Sequence, residues 1–170
     1  MESMKQTKAI KLAYMAGFFD GEGCVGIMRH YKGEFSPSHQ IYVAIGQKDG
    51  SIMNWIVGNF GGSVHKIKRD NSYAWRLSTR KAYYFLKEIY PFLKYKKPQV
   101  ELAIKFMDRV IHERGIRGKR LSAHELGIRD GYLEKMRSLK KEFIEYEKVD
   151  LDGAGVTTKC VNLQEQDAIV

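Results

Sequence analysis

The stretch Tyr14-Met15-Ala16-Gly17-Phe18-Phe19-Asp20-Gly21-Glu22-Gly23-Cys24-Val25-Gly26-Ile27-Met28 decides the fold. Its first half reads as a helix beginning at Thr7 or Lys8. Leu12, Met15, Ala16 and Phe19 recur at i, i+3, i+4 and i+7, which makes one apolar stripe. A second face carries small residues, Ala13, Gly17 and Asp20 or Gly21, and lets another helix approach closely. Glycines 21, 23 and 26 stop the helix. Val25 and Ile27 then alternate with Gly26 and Met28, a strand signal. Residues 21–26 also match GxGxxG. A dinucleotide fold needs strand, glycine loop, then helix, and the order here is reversed, so that reading is set aside.

Working outward, Tyr31 to Ser38 reads as a loop, and Ile41, Val43 and Ile45 mark a second strand with one aliphatic face. Asp49 or Ser51 caps a helix holding Ile52, Met53, Ile56, Val57 and Phe60, closed by Gly61-Gly62. A hairpin follows, Ser63 to Arg69 and Tyr73 to Ser78, turning at Asp70-Asn71-Ser72. Thr79 caps a helix with Ala82, Phe85, Leu86 and Ile89 that ends at Pro91. The helical spacing of Tyr83, Tyr84, Phe85 and Tyr90 marks them as core and helix surface rather than base-stacking groups. Lys94, Lys96 and Lys97 form a basic knot before Pro98, which opens a helix to about Arg114. Asp130 is read as the cap of a last helix to about Lys148. The order αββαββα predicts an α+β fold: a four-stranded antiparallel sheet, helices on one face, further C-terminal helices, and the other face free for a ligand. We read residues 1–148 as one domain, with a core over 8–114 and helices over 115–148, followed by an acidic tail or arm over 149–170.

At 170 residues the chain is long enough for a full core. The hydrophobic fraction of 44% excludes a disordered or collagen-like chain. No apolar run approaches membrane-spanning length, so no membrane partner is expected, and the N-terminus lacks a secretory signal. Cys24 and Cys160 form no CxxC and the five histidines no HxxxH, which leaves no zinc site and an intracellular compartment as the default. The net charge is +9. Residues 149–170 hold Asp150, Asp152, Glu165 and Asp167 against Lys159, so the basic excess lies entirely in residues 1–148. A basic domain with an open sheet face points to a polyanion, most simply nucleic acid. A ribbon of this kind fits the major groove.

Glu22 stands just past the helix end with the Gly21 carbonyl unshielded beside it. A carboxylate with a carbonyl oxygen suits a hard cation such as Mg²⁺. One chain supplies one such acid. A two-fold pairing through the small-residue face would bring two together, the arrangement metal-assisted phosphodiester hydrolysis uses. The alternative at this level is a surface acid in a tight turn.

Tyr14 to Cys24 resembles the motif of the LAGLIDADG homing endonucleases, with an aromatic residue before it and a strand directly after. His39-Gln40 to Gln47-Lys48 resembles the end of the family's second strand, and Pro91-Phe92-Leu93-Lys94-Tyr95-Lys96-Lys97 its basic segment ahead of a helix. The resemblance spans roughly residues 8–114 and one motif copy. It implies a homodimer meeting through Ala13, Ala16, Gly17 and Asp20. It implies a site-specific cut in a long pseudo-palindromic double-stranded DNA target, leaving 3′ overhangs. Glu22 stands at the family's metal-binding acid, with Gly21 lending its carbonyl to Mg²⁺; Mn²⁺ or Ca²⁺ can occupy the same sites. Gln47 falls near the attacking water, and Lys96 at the pocket lysine, for which Lys94 or Lys97 could substitute. Ser51 stands where a basic residue is common, and Lys48 compensates or the pocket is less basic. The resemblance also admits an intron-encoded protein that binds its host intron RNA as a splicing maturase.

Strand alternation nominates the DNA contacts. If Val25 and Ile27 face the helices, Met28 and His30 face the groove, joined by Gln40 and Tyr42. Lys66 and Lys68 would flank an inward Ile67, and Arg76 lies between inward Trp75 and Leu77. Lys32, with Arg29 and Tyr31, sits at the ribbon tip, and Lys48 and Lys97 add charge. A rival element is Ala123-His124-Glu125-Leu126-Gly127-Ile128 with Leu133, which has helix-turn-helix spacing with Gly127 in the turn and would make a non-catalytic regulator.

Overall fold

A computed structural model describes residues 2–31, 37–112 and 121–146. The elements are α1 (Glu2–Glu22), β1 (Gly23–His30), β2 (Ser38–Gln47), α2 (Ser51–Phe60), β3 (Ser63–Ile67), β4 (Ser72–Ser78), α3 (Thr79–Ile89), a 3₁₀ turn (Tyr90–Phe92), α4 (Lys97–His112) and α5 (Ala123–Tyr146). The four strands form one antiparallel sheet in the order β1-β2-β4-β3. The expected αββαββα order is realised. Among the described residues no helix is long and apolar enough to cross a membrane.

The apolar stripe of α1 enters the core as expected, with Met15, Ala16 and Phe19 fully buried. Glu22 is the last helical residue rather than one beyond the end, and β1 starts at the next position without a loop. The reason is Gly23. Its φ is unexceptional, but a Cβ there would collide with the ring and the carbonyl of Phe19. The glycine therefore serves close packing of the strand on the helix end, not backbone freedom. Gly23→Ala is expected to cost about 1–3 kcal/mol through overpacking, read as a lower melting temperature with unchanged secondary structure.

The helix-side face of the sheet supplies Val25, Ile27, Ile41, Val43, Ile45, Trp75 and Leu77 to the core. Phe85 of α3 sits edge-on to Phe19, Phe60 and Trp75 at centroid distances of 5.8, 5.6 and 5.2 Å. The buried indole of Trp75 donates to the Gly61 carbonyl at 2.7 Å, so it carries no unmet donor. Gly61 and Gly62 hold φ of 69° and 98° and turn the chain from α2 into β3. As read from sequence, Tyr83 and Phe85 are buried, while Tyr84 is on the helix surface.

The C-terminal third is helical and packs on the edge of the domain, as expected, but not with the expected bounds. Ala123–Tyr146 is one unbroken helix, and Gly127 lies inside it. There is no turn at Gly127, so the helix-turn-helix reading is overturned. The helix starts at Ala123 rather than Asp130 because Ser122 caps it: its Oγ accepts the Glu125 N–H at 3.1 Å. Ser122 and Glu125 have capping-box spacing. Glu125 then accepts from Arg109 of α4 at 2.7 Å and from Arg129 at 2.8 Å, which ties α5 to α4. The tail over 149–170 lies outside the described residues.

Helix α5 also flanks β1, the edge strand. Asp130 meets Arg29 Nη1 at 2.9 Å and His39 Nε2 at 2.7 Å, while Lys140 Nζ reaches Cys24 Sγ at 3.4 Å. Ten helical residues and five strand residues both span roughly 15–17 Å, so α5 runs antiparallel along β1 in register with it.

Candidate active site and nucleic-acid interface

The acidic end of α1 and the lysine segment before α4 are held together by Asp20. Its carboxylate accepts the backbone N–H of Lys94 at 2.7 Å and of Lys96 at 2.8 Å. That anchors the segment and delivers Lys96, whose Nζ donates to the Asp20 carbonyl and to the Gly21 carbonyl at 3.5 Å. A helix C-terminus presents unpaired carbonyls and a negative dipole end, so it attracts cations. Glu22 is exposed beside it and makes no hydrogen bond or ion pair with any described residue. Gln47 ends β2 two residues past Ile45, which pairs with Gly23, so it stands at the same end of the sheet. Glu22, Gly21 and Lys96 are thus brought together as the sequence reading placed them, with Gln47 nearby.

The donors fit a hard divalent cation: one unencumbered carboxylate, one backbone carbonyl, and a helix end that already draws an ammonium. They do not complete a site. Among the described residues no three His, Cys, Asp or Glu side chains group to hold a metal. Ser51 is engaged in a local turn. Its N–H and Oγ both donate to Asp49 at 2.8 Å, and those bonds hold the Asp49 carboxyl below its usual range. Lys48 is exposed next to that turn.

The four residues expected at a dimer contact divide in two. Ala13 and Gly17 are exposed, and a Cβ at Gly17 or at Gly21 would meet nothing within 4 Å. Ala16 is fully buried in the chain's own core, and Asp20 is spent on the Lys94 and Lys96 backbone. Ala16 therefore belongs to the protomer's core, while Asp20 holds the Lys94–Lys96 segment and stays part-exposed.

Strand pairing settles which side chains share the open face. Cys24 is opposite Ala44, Gly26 opposite Tyr42, and Met28 opposite Gln40; on the far side Ala44 is opposite Arg76. Met28, His30, Gln40, Tyr42 and Arg76 all lie on the face away from the core, as predicted. Tyr42 lies across Gly26, where a Cβ would strike its ring. Lys66 is a correction. Val64 pairs with the buried Trp75 and Lys66 with Tyr73, so Lys66 is on the helix side, its Nζ 5.9 Å from the Tyr73 ring centroid. Ile67 takes the open face instead, and Lys68 is exposed in the hairpin turn. The alternation of β3 is therefore one residue out of phase with an inward Ile67. Lys97 opens α4, as the basic segment ahead of a helix implied, and its Nζ stands over the Tyr90 ring at 5.1 Å. Arg29, on the helix side, is held by Asp130. Lys32 lies outside the described residues.

The sequence missed two residues of this face. Lys140 stands over Tyr42 at 5.7 Å and against Cys24, which brings an α5 ammonium onto the open surface. No local pattern announces a contact across 116 residues. Thr79 opens α3 with φ of 54°, a left-handed conformation that costs a β-branched residue on the order of 1–3 kcal/mol. Its hydroxyl donates to Gln40 Oε1 at 3.0 Å.

Residues 15–107, more than half of the chain, match the family model of the LAGLIDADG endonucleases, and the chain belongs to that family. None of the curated proteins compared with it matches. Among solved structures, the homing endonuclease I-TnaI is 20% identical with a TM-score of 0.57, covering 78% of this chain and 97% of that one. The archaeal intron-encoded I-Vdi141I, complexed with DNA, is 18% identical with a TM-score of 0.55 over 73% and 97%. I-LtrWI, bound to target DNA, is 19% identical with a TM-score of 0.57, over 72% of this chain and 42% of that one. At these identities the likeness is one of fold.

Proposed function

We propose that the protein is a homodimeric, divalent-metal-dependent DNA endonuclease that cuts both strands of a long, roughly palindromic site and leaves 3′ overhangs. The observation that carries this reading is the exposed Glu22 at the end of α1, which pairs with no described residue, with Lys96 fixed beside it by Asp20. Dimerisation is supported by the bare Ala13–Gly17–Gly21 edge of α1 and by the single acid each chain offers. It is supported again by size, since the same unit fills nearly all of I-TnaI but under half of I-LtrWI.

Glu22 and the Gly21 carbonyl would hold Mg²⁺, with its counterpart from the second protomer completing the donor set. The bound ion supplies Lewis acidity and lowers the pKa of water at the phosphate. Lys96 places positive charge beside the phosphate as negative charge builds there. Gln47, at the same end of the sheet, would orient solvent. The open face, through Arg76, Gln40, His30 and Met28, reads and holds the major groove.

The test is a cleavage assay on DNA made by joining the sequences that flank the gene, with Mg²⁺ or with EDTA. One discrete metal-dependent double-strand cut is the expected result. Specific binding with no cut would overturn the enzymatic reading, and preference for intron RNA would then identify a splicing maturase. Binding is also expected to fall about a thousandfold between about 50 and 200 mM salt, as six or more phosphate contacts require. Lys140→Ala should weaken all sequences alike and reduce the slope of that salt dependence by about one.

A further inference from the structure

We infer that Thr79 is a positioning residue for base readout: its hydroxyl fixes the side-chain amide of Gln40 on the open face of the sheet. The inference rests on the DNA-binding reading and adds to it a residue that contacts no DNA itself. Strand β4 becomes α3 with no loop between Ser78 and Thr79, and the left-handed φ of Thr79 makes that turn. Glycine would adopt this conformation without strain. A β-branched residue held there needs a reason outside the backbone, and the reason on view is its hydrogen bond to Gln40 Oε1 at 3.0 Å.

The other end of the amide is held as well. Gln40 Nε2 faces Met28 Sδ at 3.8 Å and His30 Nε2. A thioether can accept but never donate, so the nitrogen belongs on the Met28 side and the oxygen on the Thr79 side. Thr79, Gln40 and His30 thus form one chain of hydrogen bonds across the start of α3, β2 and β1. A glutamine free to rotate can turn either a donor or an acceptor toward a base edge. Adenine offers one of each in the major groove and guanine two acceptors. A glutamine held at both ends commits to one pattern. Thr79 thereby converts a permissive side chain into a selective one.

The experiment selects bound sites from a randomised half-site library with the full-length protein and with the variants Thr79→Gly, Thr79→Ser and Gln40→Ala. The wild type should select a defined site, and Gln40→Ala should lose preference at one base pair. Thr79→Gly should lose preference at that same base pair, by about tenfold in the ratio of preferred to next base, with the other positions kept. Its melting temperature should stay level or rise, since strain is relieved. Thr79→Ser, which keeps the hydroxyl, should keep the preference. Unchanged selectivity in Thr79→Gly would overturn the inference while leaving the DNA reading intact. Uniform loss at every position would also overturn it, because that is the mark of a structural role. A wild type that selects no DNA would overturn the DNA reading and this inference together.

Discussion

Glu22→Gln is expected to leave site-specific DNA binding intact and to slow cleavage at least about a thousandfold, equivalent to roughly 4 kcal/mol of barrier. The amide is nearly isosteric with the carboxylate and removes only its charge. Glu22 is exposed and makes no hydrogen bond or ion pair with a described residue, so the change disturbs no packing and breaks no ion pair. An unchanged melting temperature would separate lost chemistry from lost structure. In a dimer both half-sites lose their acid at once, so neither strand should be cut. Gel-shift titration beside a cleavage time course reads both quantities, and a variant that cuts at the wild-type rate would remove Glu22 from the metal site.

Glu125→Ala is expected to be the most damaging substitution in the C-terminal helix, at about 3 kcal/mol, or a fall in melting temperature of about 6–12 °C. Arg129 is only 6% exposed, and the Glu125 carboxylate is the partner of its Nε at 2.8 Å. Truncation strands that guanidinium in the interior and also breaks the link to Arg109. The Arg109 hydrogen bond, with help from Arg129 and against the opposing effect of burial, holds the Glu125 carboxyl below its ordinary value of 4.5. A lowered folded value means the stabilisation is fully present above 4.5 and is lost as pH falls through the folded value. The gap in melting temperature between wild type and Glu125→Gln should therefore be constant above 4.5 and narrow below it. A gap that stayed constant through acid would show that the carboxylate's charge plays no part.

Much of this was legible because α1 and β1 announce themselves locally. The i, i+3, i+4, i+7 stripe and the alternation of Val25 and Ile27 are periodicities of a single segment, and the structure keeps both. The Asp20-to-lysine contact was not legible. It joins positions 74 and 76 residues apart, and Asp20 read as a small residue on a contact face when its carboxylate is in fact an acceptor for backbone. Lys66 was misplaced because β3 is short and polar, so its phase rested on Ile67 alone; the buried indole of Trp75, across from Val64, decides it instead. The apparent turn at Gly127 failed for a different reason. A glycine costs a helix only about 1 kcal/mol, and the Ser122 cap, the Glu125 bridge and the packing on α4 outweigh that. The capping-box spacing of Ser122 and Glu125 was present in the sequence and would have placed the start of α5.

The lateral contact between α5 and β1 also sets a timetable. Arg29 and Asp130 are 101 residues apart, and β1 is the first strand made while α5 is the last helix described. At roughly 5–20 residues per second a ribosome takes about 5–20 s to travel that distance. For the later part of that interval, once β2 has paired with β1, that margin of the sheet has N–H and C=O groups open to a passing strand. Among the described elements, then, the last helix to be made is the one that covers the margin of the first strand.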